Sequence, residues 1–283
     1  MTTYRHIDVR PVAGALGAEV AGVDASGPVP DEIVVEVRRA LLENLVIFMR
    51  DQRLEPQSQL AFARRFGTPM IYPLIKGLED CPEVTPVIKE AEDKVNFGGI
   101  WHSDTAYQEV PPLGSLLYAR EVPPVGGDTE FANMYLAFER LSAGMQHMLE
   151  RLVAVNMSGK GRARATRSAM RSAAATALAD DALAAAHPVV RVHPETGRKA
   201  LYVNVAHTSR FQDMSEDESR PLLEFLFGHL ARPEFTCRFR WEPGTLAFWD
   251  NRCTQHNALN DYHGHRRLMH RVTLEGDRPG GPG

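Results

Sequence analysis

The sequence predicts a mainly β fold with flanking helices, arranged as an antiparallel jelly roll. Three observations lead there. Short strand-like runs recur along most of the chain, each bounded by Gly, Pro, Asn or Asp. Few helical segments interrupt them, which argues against a doubly wound parallel sheet. No internal repeat points to a solenoid.

Taken in order, residues 5–24 read as two short strands around the breakers Pro11 and Gly14. Residues 30–44 read as a helix, with Asp31 able to cap and Ile33, Val34, Val37, Leu41 and Leu42 at helical spacing. Residues 45–49, Leu-Val-Ile-Phe-Met, form a continuous apolar run and read as a buried strand. Residues 56–66 read as a second helix with Leu60, Phe62, Ala63 and Phe66 inward and Gly67 as its stop. Residues 68–100 are irregular, with a strand over 84–88. Beyond 101, strands are expected at 113–120, 129–133, 189–193, 201–204, 235–241, 245–249 and 270–274. Residues 134–151 are expected to be helical, in two pieces around Ser142. Residues 215–231 form another helix, opened by the capping-box pattern Ser215-Glu216-Asp217-Glu218. Residues 159–186 stand apart. They pass from an Arg/Gly/Ser-rich stretch to one almost wholly Ala, Asp and Leu, readable as a surface helix or as a lid inserted in a single domain spanning 1–283.

The composition is that of a soluble globular protein, with 43% hydrophobic and 24% charged residues. A net charge of −4 gives no sign of a nucleic-acid surface. No apolar run has the length of a membrane span, and the polar N-terminus carries no signal-peptide core. Three widely spaced cysteines, Cys81, Cys237 and Cys253, form no zinc pattern and no disulfide framework. A cytoplasmic protein with reduced thiols is expected.

Chemistry concentrates in two stretches. Residues 101–105, Trp-His-Ser-Asp-Thr, place His102 and Asp104 two apart in a segment that reads as extended, so both side chains can converge on one point. Alone, such a pair is weak evidence, since most such pairs are surface or core hydrogen-bond partners. A second stretch, residues 249–256, ends a strand at Trp249, passes through a polar turn and presents His256. His102, Asp104 and His256 together would make a two-histidine, one-carboxylate triad. That set leaves three metal positions open and suits Fe(II) doing oxygen chemistry; a three-ligand zinc would want only one open site. Further on, Arg267, Met269 and Arg271 would share one face of a strand and Arg266, Leu268 and His270 the other. Two guanidinium groups on one face of an apolar-flanked strand are costly unless they meet anions, and a carboxylate held bidentately is the natural partner.

Four stretches in this order carry a resemblance: Trp101-His102-Ser103-Asp104, Gly126-Gly127-Asp128-Thr129, residues 249–256, and Arg266-Arg267-Leu268-Met269-His270-Arg271. From about residue 5 to 279 the chain resembles the taurine dioxygenase (TauD/TfdA) family of Fe(II)- and 2-oxoglutarate-dependent oxygenases on a double-stranded β-helix. The resemblance implies that His102, Asp104 and His256 ligate iron, and that Thr129 and Arg267 hold 2-oxoglutarate. It implies that Arg271 holds an anionic group of the substrate. The carboxylate at Asp104 separates the chain from related halogenases, which have a small residue there. The pocket positions departing from the taurine pattern are Tyr72, Ile75, Gly98, Ser158 and His207, so an anionic substrate with a bulkier body is expected. Sulfonates, alkyl sulfate esters and aryloxyalkanoates are the candidate classes. O2 is the co-reactant, succinate and CO2 are the by-products, and a homo-oligomer (dimer or tetramer) without nucleic-acid or membrane partners is expected. A non-catalytic jelly roll with a structural metal is the alternative, and it would have no need of Arg267. His187, His193 and His229 read as surface or turn residues, and His270 as a hydrogen-bonding support behind the site. Trp101 and Trp249 read as packing beside the metal, and Cys253 as a small packed residue.

Overall fold

The structure is a computed structural model describing residues 4–72, 75–158 and 183–283. In chain order it contains β1 (Asp8–Pro11), β2 (Ala18–Ala21), α1 (Asp31–Asn44), β3 (Val46–Met49), α2 (Pro56–Ala63), β4 (Pro69–Met70), β5 (Val84–Lys89) and β6 (Gly114–Glu121). There follow β7 (Thr129–Asn133), α3 (Met134–Glu139), α4 (Ala143–Leu149), β8 (Val153–Met157), β9 (Ala184–Pro188), β10 (Val190–Val192), β11 (Lys199–Leu201) and β12 (Thr208–Phe211). The last elements are α5 (Glu216–Leu230), β13 (Thr236–Phe239), β14 (Leu246–Asp250), β15 (Thr254–Ala258) and β16 (Arg267–Leu274).

The large sheet runs β1-β2-β3-β14-β6-β16-β4, with β5 also paired to β16. A three-stranded sheet, β13-β7-β15, forms the second layer. Side chains of the large sheet alternate between two cores, as strand geometry requires. On β3, Val46 and Phe48 join a cluster shared with Phe131, Phe239 and Trp249, while Ile47 and Met49 join Val37, Phe62 and Leu116 under α1 and α2. β14 does the same, with Ala247 and Trp249 on the first face and Leu246 and Phe248 on the second. With both faces covered, β3 has no polar position, which is why it reads as a continuous apolar run. On β16 the alternation puts Met269 on the inner face and Val272 and Leu274 on the outer one, so Arg267 and Arg271 share the inner face.

Several expectations hold closely. Ser142 divides the 134–151 region and caps α4 through Met145 N–H, and Ser215 and Glu218 form the capping box of α5. Others need correction. Asp31 is the first helical residue rather than the cap; Pro30 precedes it without a side-chain bond, and the Asp31 carboxylate pairs with Arg65. The second helix ends at Ala63 with Arg64 as its C-cap, so Gly67 does not stop it. The sequence reading does not anticipate strands β4, β8, β9, β12 and β15. The strand expected at 201–204 occupies 199–201 instead. Residues 184–186 open β9 rather than closing a helix, and residues 159–182 of the expected lid lie outside the described residues. No described helix is long and apolar enough to cross a membrane.

The contact that ties the two layers is aromatic. Phe48 is fully buried, stacked on Phe239 with centroids 3.6 Å apart and edge-on to Phe131 at 5.7 Å. Phe48→Ala should therefore cost about 3–5 kcal/mol, the usual range for a truncated core phenylalanine; urea unfolding of variant against wild type measures it.

Candidate active site

The site lies between the two sheets. His102 and His256 form an isolated antiparallel bridge: His102 N–H donates to His256 O at 3.1 Å and His256 N–H to His102 O at 2.9 Å. The expected geometry is thus only half met. His102 is extended for that one bridge, whereas Asp104 and Thr105 are in a turn. His256 comes, as expected, out of the turn at 251–253, and it lies on β15. The three side chains converge all the same. One ligand atom from each of His102, Asp104 and His256 falls within 4.8 Å of the others, and all three residues are buried.

The protonation states suit metal binding. Burial pushes the His102 imidazole down. Burial, with His102 alongside, takes His256 down to about 3. Both rings are therefore neutral at pH 7. His102 Nδ1 lies 2.7 Å from Ile100 O; that carbonyl requires the proton on Nδ1 and leaves the Nε2 lone pair facing Asp104 at 3.7 Å. Burial opposes the Asp104 charge, but the Arg271 guanidinium above all, with the Ser115 hydroxyl, overcomes it and holds the carboxyl at about 2. Asp104 Oδ1 accepts from Arg271 Nη1 at 3.1 Å and Oδ2 from Ser115 Oγ at 3.1 Å.

Two adjoining cavities meet at Phe97, Gly98 and His102. One is lined by Thr129, His256, Trp249, Arg267 and Arg271, the other by Tyr72, Ile100, Asp104, Tyr107, Ala206 and His207. Arg267 is 6% exposed, has no ion-pair partner among the described residues, and leaves Nε and Nη2 without a hydrogen-bond acceptor. Burial pushes its guanidinium down. Arg271 also leaves Nε and Nη2 without an acceptor, and its guanidinium lies over the rings of Tyr72 at 4.2 Å and Phe97 at 5.6 Å. Buried cations with orphaned donors beside an open cavity are what a dianionic cosubstrate and an anionic substrate require. The donor set and these orphaned groups therefore fit both Fe(II) and 2-oxoglutarate. Trp241 Nε1–H donates to Thr129 Oγ1 at 2.9 Å. With that lone pair engaged, the Thr129 hydroxyl proton is free to point into the cavity.

Tyr72, Gly98 and His207 line the cavity as expected. Ser158 does not: it is buried at the end of β8, where its N–H donates to Leu183 O at 2.9 Å. Gly98 is glycine for two reasons, since its φ is +77° and a Cβ there would lie 3.1 Å from His102 Cε1. Phe97, Ile100, Tyr107, Ala206 and Trp241 carry no sequence signal of a site, because nothing in their spacing marks them apart from ordinary core residues. His187, His193 and His229 are corrected from surface to buried, at 2%, 1% and 8% exposure. Each has an acceptor or ion-pair partner that only the tertiary fold supplies: Gln108 O, Asp250 and Ala137 O. His270 Nδ1 has no hydrogen-bond partner among the described residues. Trp249 packs 4.8 Å from the His256 ring, and Cys253 is buried with its thiol pushed well up by burial.

The sequence profile of the taurine catabolism dioxygenase TauD, TfdA family matches residues 8–273. The chain belongs to the TauD/TfdA family. It is 34% identical to an alpha-ketoglutarate-dependent sulfate ester dioxygenase of Pseudomonas putida, over 97% of this chain and 91% of that one. It is 32% identical to an alpha-ketoglutarate-dependent 2,4-dichlorophenoxyacetate dioxygenase of Cupriavidus pinatubonensis, over 94% and 96%. A crystal structure of a taurine dioxygenase from Burkholderia xenovorans superposes with a TM-score of 0.84 at 36% identity, covering 98% of this chain and 94% of that one. This TauD/TfdA member is accordingly a 2-oxoglutarate-dependent dioxygenase with the jelly-roll fold that the strand pattern predicts.

A second buried group, His193, Asp250 and Cys253, also has ligand-type atoms within 4.8 Å of one another. It is a poor metal site, because Arg252 already holds both Asp250 oxygens at 2.9 and 2.6 Å and His193 Nε2 adds a contact at 3.0 Å. Burial raises the Asp250 carboxyl, but these partners outweigh it and hold the group well below its ordinary 3.8. A depressed carboxyl stabilises the fold above its unfolded pKa and loses that contribution as pH falls. The wild-type melting temperature should hence drop below about pH 4, and Asp250→Asn, less stable at neutral pH, should show a flatter acid limb; thermal melts between pH 7 and 3 report both.

Proposed function

We propose that this chain hydroxylates a small anionic organic substrate at a carbon next to a heteroatom, with His102, Asp104 and His256 as the Fe(II) ligands. The observation that carries the reading is the pair of buried guanidinium groups, Arg267 and Arg271, whose unpartnered N–H donors flank the three ligand residues.

With Fe(II), 2-oxoglutarate and O2 bound, the chemistry supplied is oxidative decarboxylation of 2-oxoglutarate to succinate and CO2, coupled to hydroxylation of a substrate C–H bond. The protein's own part is binding, orientation and exclusion of water. Arg267 presents a planar fork to the distal carboxylate of 2-oxoglutarate, and the Thr129 hydroxyl, oriented by Trp241, donates a further bond. Phe131, Trp249 and Leu117 line the same cavity and keep it apolar. Arg271 takes the substrate anion, with Tyr72 and Phe97 fixing its guanidinium plane. The body of the substrate then lies along Ile100, Tyr107, Ala206 and His207. When the hydroxylated carbon bears sulfonate, sulfate or an ether oxygen, the C–X bond breaks with loss of a proton and a carbonyl remains. The P. putida and C. pinatubonensis relatives and the B. xenovorans structure support these three substrate classes. The three cysteines are buried free thiols, in keeping with a reducing cytoplasm.

A panel of sulfonates, alkyl sulfate esters and aryloxyalkanoates, assayed for succinate release with Fe(II), should contain at least one substrate, and His102→Ala should abolish its turnover. No substrate-dependent succinate from any of the three classes would refute the substrate assignment. At saturating Fe(II), Arg271→Gln should raise the substrate KM far more than that for 2-oxoglutarate, although the variant also loses the bond to Asp104. Arg267→Gln should do the reverse, at a cost of about 2–5 kcal/mol for a buried charge left unpaired. Equal effects of both variants on both KM values would contradict this division of roles.

A further inference from the structure

Asp104 reaches the site through an unfavourable backbone. Thr105, the next residue, has φ of 43°, in the left-handed region that β-branched side chains rarely enter. Such a conformation costs about 1–3 kcal/mol and persists only where its surroundings over-determine it. Both residues are 1% exposed, so no solvent-side adjustment can relieve them.

The group that over-determines the turn comes from the other motif, in the loop after β14. The Asn251 side chain accepts from Asp104 N–H at 2.7 Å and donates from Nδ2 to Asp104 O and Pro112 O, each at 3.2 Å. Asn251 is fully buried, and its own N–H donates to Leu113 O at 2.8 Å. One carboxamide thus closes on both main-chain groups of Asp104 while being anchored at the entrance of β6. Only an amide offers an acceptor and two donors at once: an aspartate would lose the donors and a leucine everything. Ser115 and Arg271 hold the Asp104 carboxylate at its tip; Asn251 holds it at its base.

We infer that Asn251 is a positioning residue for the metal centre, clamping the strained turn at Asp104 and Thr105 so that the carboxylate stays directed at His102 and His256. This rests on the reading of those three residues as ligands. The clamp stores the strain of Thr105 in the service of one carboxylate direction. Releasing it lets the turn relax towards ordinary backbone angles and swings the carboxylate off its partners.

The test is Mn(II) affinity of the full-length chain, read from the free-ion electron paramagnetic resonance signal, with a thermal melt of each protein alongside. Asn251→Ala should weaken Mn(II) binding by about 10–100-fold, the usual effect of losing a group that orients a ligand. Adding Thr105→Gly should recover a part of that loss of about threefold or more, because a glycine takes φ of 43° without cost. A residue that merely fills the core would lower the melting temperature and leave the Mn(II) affinity of the folded chain unchanged, with no recovery from Thr105→Gly. Should Asn251→Ala fail to fold, Asn251→Ser loses both amide donors with a smaller cavity and carries the same expectations. The inference is overturned if the folded variant binds Mn(II) as wild type does, or if Thr105→Gly returns nothing. A wild type that takes up no Mn(II) would instead overturn the metal-centre reading itself.

Discussion

Two backbone hydrogen bonds, exchanged between His102 and His256 at 3.1 and 2.9 Å, hold together the two segments on which the site is built. Neither segment could make a metal centre alone. The first brings His102 and Asp104 at the end of an irregular stretch, and the second brings His256 on a strand of the smaller sheet. The bridge fixes their separation by main-chain geometry rather than by side-chain packing, and main-chain pairs are the least adjustable contacts a strand offers. The smaller sheet is in turn seated on the larger one through Phe48, Phe131 and Phe239, so the position of the bridge depends on the aromatic core beneath it.

The second constraint is electrostatic. An inner sheet face would ordinarily hold only apolar side chains, yet β16 contributes Arg267 and Arg271 to it on either side of Met269. Arg271 meets Asp104, while Arg267 has no carboxylate within ion-pair distance among the described residues. An uncompensated buried guanidinium is destabilising in the free chain and becomes favourable once an anion fills the cavity. Stability is given up at the place proposed for the cosubstrate, so on that proposal 2-oxoglutarate should stabilise the fold.

Much of this was legible in the sequence, and the exceptions have common physical causes. Strands such as β3 and β14 announce themselves because both faces are buried. β15 did not, because its buried residues are polar: Thr254 and Gln255 are buried for hydrogen bonding rather than for packing, and His256 faces the site. The convergence of His102, Asp104 and His256 and the shared face of Arg267 and Arg271 were readable from spacing and residue type. His187, His193 and His229 were misread because their partners lie far away in sequence, and a buried histidine looks like an exposed one until its acceptor is known. Asn251 and Trp241 escaped notice for the same reason: they act on the main chain of Asp104 and the hydroxyl of Thr129, which no local pattern connects to them.

His102, Asp104 and His256 on one side and Arg267 on the other should together define one site for 2-oxoglutarate. Anaerobic calorimetric titration of 2-oxoglutarate into the wild-type chain, with and without Mn(II), tests it most directly. One 2-oxoglutarate should bind per chain with Mn(II) present, and binding should be much weaker without it, because Arg267 alone then holds the dianion. Equal affinity in the two titrations would contradict the account, since it would mean that the cosubstrate does not share its site with the metal held by His102, Asp104 and His256.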